Sequence, residues 1–244
     1  MPQPSTDTRT RLVEAAIRLF AARGVHGVSL RGVGEAAGAR NTAAVHYHFK
    51  SREALLEAAL DHVLAALRAP GGAAGPAGRV PRYPAPEDPV AGIVAAVFMP
   101  LLSLDLLQPR WGRDGQRLLA RVAIGDGGDL AVAFDDRTAV DADAAVDALS
   151  AHIPGIGTDE LRRRVDLAAV LVMAAAAGSA PGAAAPRGRG AGTGTRADWT
   201  ASLLAMVAAG LTAGGGGPSG PPQRDRGAST PPGSAKPSRR RQSR

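Results

Sequence analysis

Apolar residues recur at three- and four-residue spacings through the N-terminal quarter of the chain, and the pattern divides that quarter into four helices. Between about Arg9 and Arg23, the residues Leu12, Val13, Ala16, Ile17, Leu19 and Phe20 share one face, and Gly24 supplies a C-terminal stop. Ser29 can cap a second, short helix over Leu30 to Ala37, which Gly38 ends. Gly32 and Gly34 lie inside it, and each costs about 1 kcal/mol relative to alanine, so packing must hold this helix. A turn at Gly38, Ala39 and Arg40 leads into a third helix, about Asn41 to Phe49. Ser51 then caps a long fourth helix to Arg68, with Leu56, Leu60, Val63, Leu64 and Leu67 on one stripe. Two short helices joined by a three-residue turn have the spacing of a helix-turn-helix.

Beyond Arg68 the pattern lapses. Residues 69–88 are rich in Gly, Pro and Ala, and five prolines rule out a continuous helix there. Helical periodicity resumes over Val90 to Leu107, about Arg113 to Ala123, Ala139 to Ala151 and Asp159 to Gly178. A second Gly/Pro-rich break covers 179–195, and a last helix runs from Arg196 to about Ala213. No alternating, β-branched-rich run of useful length occurs, so the predicted fold is all-α. Three regions follow: a helix-turn-helix domain over 1–53, a helical bundle over 54–213, and a tail over 214–244. The tail holds almost nothing apolar and cannot offset the entropy of ordering, so it is expected to be disordered.

Composition narrows the class. With 244 residues and 45% hydrophobic content, the chain can bury a sizeable core. It has no cysteine, so disulfides and thiolate metal sites are unavailable and a reducing cytoplasm is the expected compartment. No apolar run approaches the length of a membrane span, and the polar N-terminus does not read as a signal segment. The net charge of +7 is unevenly spread. Residues 1–53 carry +4 and 214–244 carry +6, which leaves 54–213 at −3. Basic ends around an acidic middle suit nucleic-acid binding.

The third helix carries the candidate chemistry. A helix enters the major groove of DNA only if its leading face is small or polar, and Asn41, Thr42, Ala43 and Ala44 meet that requirement. Asn41 and Thr42 can hydrogen-bond base edges, while Ala43 and Val45 can touch a thymine methyl. His46, Tyr47 and Lys50 can reach phosphate oxygens, with Tyr47 equally suited to packing. Arg40 stands in the turn, and Ser29 and Arg31 can clamp the flanking backbone from a helix N-terminus. His48 reads as a packed or capping histidine. The remaining histidines are scattered, so neither a metal nor another cofactor is expected. The Gly32, Gly34 and Gly38 spacing is wrong for a dinucleotide fingerprint, and no nucleophile elbow or phosphate-binding loop is present, which argues against an enzyme. Asp126, Asp129, Asp135 and Asp136 read as solvated loop acids.

From about Arg9 through Leu60 the sequence resembles the DNA-binding domain of the TetR family of bacterial transcriptional regulators. The marks are the Ala37-Gly38 turn, Tyr47-His48-Phe49 at the end of the third helix, and Ser51-Arg52-Glu53-Ala54-Leu55 at the start of the fourth. Departures are Gly34 where the family usually has Ala, Gly32 where a polar residue is common, Arg52 where Lys is typical, and His46 where Tyr is common. The resemblance implies a homodimeric regulator of double-stranded operator DNA whose later helices dimerise and surround a small-molecule pocket.

On that implication the last two helices form the dimer interface, with Met173, Trp199, Leu203, Leu204, Met206 and Val207 as candidates. The pocket candidates are Phe98, Met99, Leu102, Trp111, Phe134 and His152, with Arg121 as a polar anchor, and so apolar a set favours a lipophilic effector. The expected function is a repressor released from a palindromic operator by its ligand. The alternative is an architectural DNA-binding or interaction protein that uses the basic tail and takes no effector.

Overall fold

The computed structural model describes residues 4–38, 43–69, 87–126, 129–178 and 195–214, and within them ten α-helices and no strand. The predicted loop at 69–88, the break at 179–195 and the tail at 214–244 lie almost wholly outside the described residues. Helices α1 (Pro4–Arg23), α2 (Leu30–Ala36), α3 (Ala43–His48) and α4 (Arg52–Arg68) make the N-terminal unit. The remainder is α5 (Pro89–Leu102), α6 (Leu104–Leu107), α7 (Gly112–Arg121), α8 (Asp129–Ser150), α9 (Thr158–Ala177) and α10 (Arg196–Thr212).

One continuous apolar core runs from Leu12 on α1 to Leu211 on α10. The N-terminal unit is therefore not an independent bead on the bundle. Helix α1 packs on both α4 and α7, and α7 packs in turn on α9. Its fully buried residues, Leu118 and Leu119, belong to that shared core, so α7 joins the two halves through α1, alongside the contacts of α4 with α5 and α8.

The helix ends are closed by side chains, as burial of their backbone groups requires. Ser51 accepts from the Ala54 N–H at 3.1 Å, and Asp88 accepts from the Val90 N–H at 3.0 Å. Thr195 and Asp198 form a reciprocal capping box at the start of α10. At the end of α5, the buried Gln116 side chain donates to the Leu101 carbonyl at 2.7 Å, and Arg196 donates to the Leu102 carbonyl at 2.7 Å. Arg196 also grips Asp105 with both terminal nitrogens, at 2.7 and 2.6 Å, pinning α10 against α6. Arg164 on α9 donates to the Leu211 carbonyl at 3.0 Å and closes the other end of α10.

Three predicted elements change. The run from Val90 to Leu107 is broken at Ser103, after Pro100 has removed one backbone donor from α5. Helix α8 begins at Asp129, ten residues before the predicted start at Ala139. Asp135 and Asp136, read as loop acids, are exposed positions on this helix. Its first turns are held by contacts that no local pattern reveals: Phe134 is buried, and Arg137 pairs with Asp61 at 2.9 Å and Glu57 at 3.3 Å on α4. Helix α1 starts at Pro4, earlier than the expected Arg9. No described helix is long and apolar enough to cross a membrane.

Candidate nucleic-acid interface and effector cavity

Helix α2 starts at Ser29, whose hydroxyl accepts from the Gly32 N–H at 3.2 Å. It ends at Ala37 and Gly38, and Gly38 adopts φ +69°, a left-handed conformation that glycine reaches without steric cost. That turn aims α3 across α2. The two helices meet at Gly34 and Val45: a methyl group on Gly34 would lie only 2.8 Å from a Val45 methyl carbon. The glycine that departs from the family pattern thus makes room for α3.

This packing corrects one assignment. Val45 was expected at a thymine methyl, yet it is 0% exposed and sits in the core with Val33 and Phe49. Residues four apart on a helix share a face, so Val45 and Phe49 fix the inward side and send His46, Tyr47 and Lys50 outward. Tyr47 is 84% exposed, and its ring meets His48 edge-on at 5.2 Å between centroids. A phenol held so far from any core is available to a partner outside the chain. The Arg9 guanidinium stacks 5.2 Å from the Phe49 ring and adds positive charge beside the same end of α3. Arg40, Asn41 and Thr42 lie outside the described residues, and of Ala43 only the helical backbone is described.

The flanks are fixed by charge. Arg31, expected as a phosphate clamp, is exposed and pairs with Glu35 at 2.9 Å. Arg52 pairs with Glu53 at 3.0 Å and also donates to the His26 carbonyl at 3.4 Å, tying α4 to the loop before α2. Backbone N–H donors at the start of α4 hold the Glu53 carboxyl below its ordinary range, assisted by Ser51 and Arg52. A carboxylate is stabilised at that helix N-terminus, which anchors α4 directly after the recognition helix.

A cavity of about 550 Å³ lies in the bundle between α4, α5, α7, α8 and α9. Its walls are apolar and include Phe98, Leu101, Leu119, Phe134, Val165 and Met173. Arg68, Thr138, Asp141 and Asp166 supply its polar groups. Arg68 donates to Asp141 at 3.0 Å from Nε and 2.5 Å from a terminal nitrogen, and also to the Arg137 carbonyl at 2.5 Å. Asp166 is held by Arg162 at 3.0 Å, and Arg162 also pairs with Asp143.

Of the predicted pocket set, Phe98 and Phe134 line this cavity. The others do not, and packing explains each. Met99 and Leu102 face away from it into the core, and Trp111 is buried against His62, with ring centroids 4.9 Å apart. Arg121 points instead to α1, and His152 is exposed between α8 and α9. The missed wall and polar residues Arg68, Asp141, Leu119 and Val165 come from four different helices.

The predicted dimer residues also need correction. Leu203, Leu204 and Val207 are buried within the protomer, because α10 turns that stripe onto α5 and α9, and Met173 faces the cavity. Trp199 is half-buried. Met206 on α10 is 52% exposed, and on α9, which packs against α10, Leu167 is 70% exposed and Leu171 is exposed as well.

Two short helices, the second with His46, Tyr47 and Lys50 turned outward, thus precede a bundle that holds a mainly apolar cavity. Residues 12–59 match the sequence model described as "Bacterial regulatory proteins, tetR family". Over that segment, about a fifth of the chain, the sequence is similar to that family. No curated protein matches the chain. A solved structure from Rhodococcus sp., assigned as a TetR-family transcriptional regulator, is similar over 84% of this chain and 99% of its own, with 18% identity and a TM-score of 0.53. That likeness concerns the fold: at 84% coverage it extends beyond the N-terminal helices into the bundle.

Proposed function

We propose that the protein is a homodimeric repressor that binds a palindromic operator and leaves it when a lipophilic small molecule fills the bundle cavity. The observation that carries this reading is the position of α7. Leu119 on that helix forms part of the cavity wall, while α7 also packs on α1 of the DNA-binding domain. A ligand that moves this wall acts on the orientation of the domain that reads DNA.

Two copies are needed because the outward face of one short α3 contacts too few base pairs for a unique site. The exposed apolar face of α9 and α10, with Leu167, Leu171 and Met206, is the surface proposed to join them. The protein acts in the cytoplasm, where its DNA lies.

Selection of binding sites from a random DNA pool tests the proposal. A palindromic consensus whose half-sites are about one helical turn apart, and whose complex dissociates on ligand binding, is the expected result. Recovery of no preferred sequence would instead describe binding through the phosphate backbone alone.

A further inference from the structure

We infer that the cavity takes an uncharged lipophilic molecule and discriminates against charged ones of the same shape. The inference rests on the reading of this cavity as the effector site. Its apolar walls would strip water from any ligand, and a charge so stripped is tolerated only beside a free counter-charge. None is offered. Arg68, the one cation among the described lining residues, is bound to the Asp141 carboxylate and the Arg137 carbonyl, and Asp166 is bound to Arg162. An anionic ligand would have to take Arg68 from Asp141 and leave that carboxylate beside its own charge. A cationic ligand would have to take Asp141 or Asp166 from an arginine, with the same difficulty reversed.

Neutral polarity fares differently. The Thr138 hydroxyl donates to the Phe134 carbonyl at 3.0 Å, which leaves its oxygen able to accept one hydrogen bond from a ligand hydroxyl or amide N–H. Among the described residues, no buried side-chain nitrogen or oxygen lacks a hydrogen-bond partner. Sites built for a strongly polar ligand hold groups that wait for it, and the charged lining residues Arg68, Asp141 and Asp166 are instead each paired within the protein. Its volume lies within the range of sites for drug-sized molecules.

Three probes with one hydrocarbon skeleton separate the possibilities: 1-decanol, decanoate and decyltrimethylammonium, titrated calorimetrically into the full chain. Decanol is expected to bind at least about tenfold more tightly than either ion, the difference of one unmatched charge-assisted contact. Asp141→Asn, which releases Arg68, should strengthen decanoate binding about tenfold relative to decanol. Val97→Trp, at an exposed position on the cavity wall, should abolish decanol binding while circular dichroism and the melting temperature stay as in the parent. Tighter binding of either ion to the parent protein, or no gain for decanoate in Asp141→Asn, would overturn the inference and leave the effector reading in place. Failure of all three probes to bind, or decanol binding that ignores Val97→Trp, would overturn the effector reading of this cavity and the inference with it.

Discussion

Arg121, at the end of α7, donates from Nε to the carbonyl oxygen of Ala21 in the last turn of α1, 3.0 Å away. A cationic side chain at the C-terminal end of a helix meets both a carbonyl lacking an intrahelical partner and the negative end of the helix dipole. Leu119, two residues earlier on the same helix, belongs to the cavity wall. The bond therefore connects the wall of the proposed effector site to the first helix of the DNA-binding domain. Arg121→Met keeps the aliphatic stem and removes the donor. It should cost about 1–3 kcal/mol in denaturant unfolding. Operator affinity should be retained while more ligand is needed for release; an unchanged ligand response would remove Arg121 from the coupling.

Tyr47 and Lys50 are exposed, so their loss should leave the fold intact and act on DNA alone. Tyr47→Phe removes only the hydroxyl and should cost about 1 kcal/mol of affinity on every DNA sequence tested. Lys50→Ala should also reduce the dependence of binding on salt concentration, by about one unit of log–log slope. Binding isotherms at several salt concentrations would read both effects. A change of sequence preference in either variant would make the residue a base reader instead.

Gly34→Ala sets two effects in opposition. Removing a glycine from a helix interior stabilises by about 1 kcal/mol, but overpacking a core costs typically about 1–3 kcal/mol. With a Val45 methyl carbon only 2.8 Å from the new atom, overpacking should win, and both stability and DNA binding should fall. Gly92→Ala is the control. Nothing lies within 4 Å of its added carbon, so the melting temperature should rise.

Leu167→Glu and Met206→Glu place charge on the exposed α9 and α10 face and should give folded monomers in sedimentation, with operator affinity lost. Leu204→Glu buries the same charge inside one protomer, where it has no partner, and should prevent folding. If Leu167→Glu and Met206→Glu both remain dimeric, another face joins the two copies.

His62 lies half-buried against Trp111, and its pKa is lowered, first by desolvation, with Arg9 acting in the same direction and Glu14 against both. The folded state thus disfavours the imidazolium, while the unfolded chain accepts a proton near the ordinary value of 6.5. Stability is full above that value and falls as the pH drops through it toward the lower folded pKa. Thermal melts between pH 7.5 and 5.5 should show this loss, and His62→Gln should flatten it. Equal slopes in the two proteins would assign the acid sensitivity to other groups.

Local chemistry marked the ends of the helices in the N-terminal unit. Ser29 and Ser51 cap helices because a hydroxyl satisfies an otherwise unpaired backbone donor, and Gly38 turns the chain because a side chain there would be strained. These are interactions within a few residues, and they are written in the order of the sequence. The register of α3 was not. Val45 fits a thymine methyl and a protein core equally well, and the choice fell to Gly34, eleven positions earlier, which no periodicity links to it. The same limit governs the bundle. A stripe such as Leu203, Leu204 and Val207 states that one face of α10 is buried but not against what, and packing on α5 and α9 assigned it to the protomer's interior. The cavity is a space between five helices, and Arg68 and Asp141 meet in it from positions 73 residues apart. Their pairing, which leaves neither charge free for a ligand, exists only once the tertiary fold has brought α4 and α8 together.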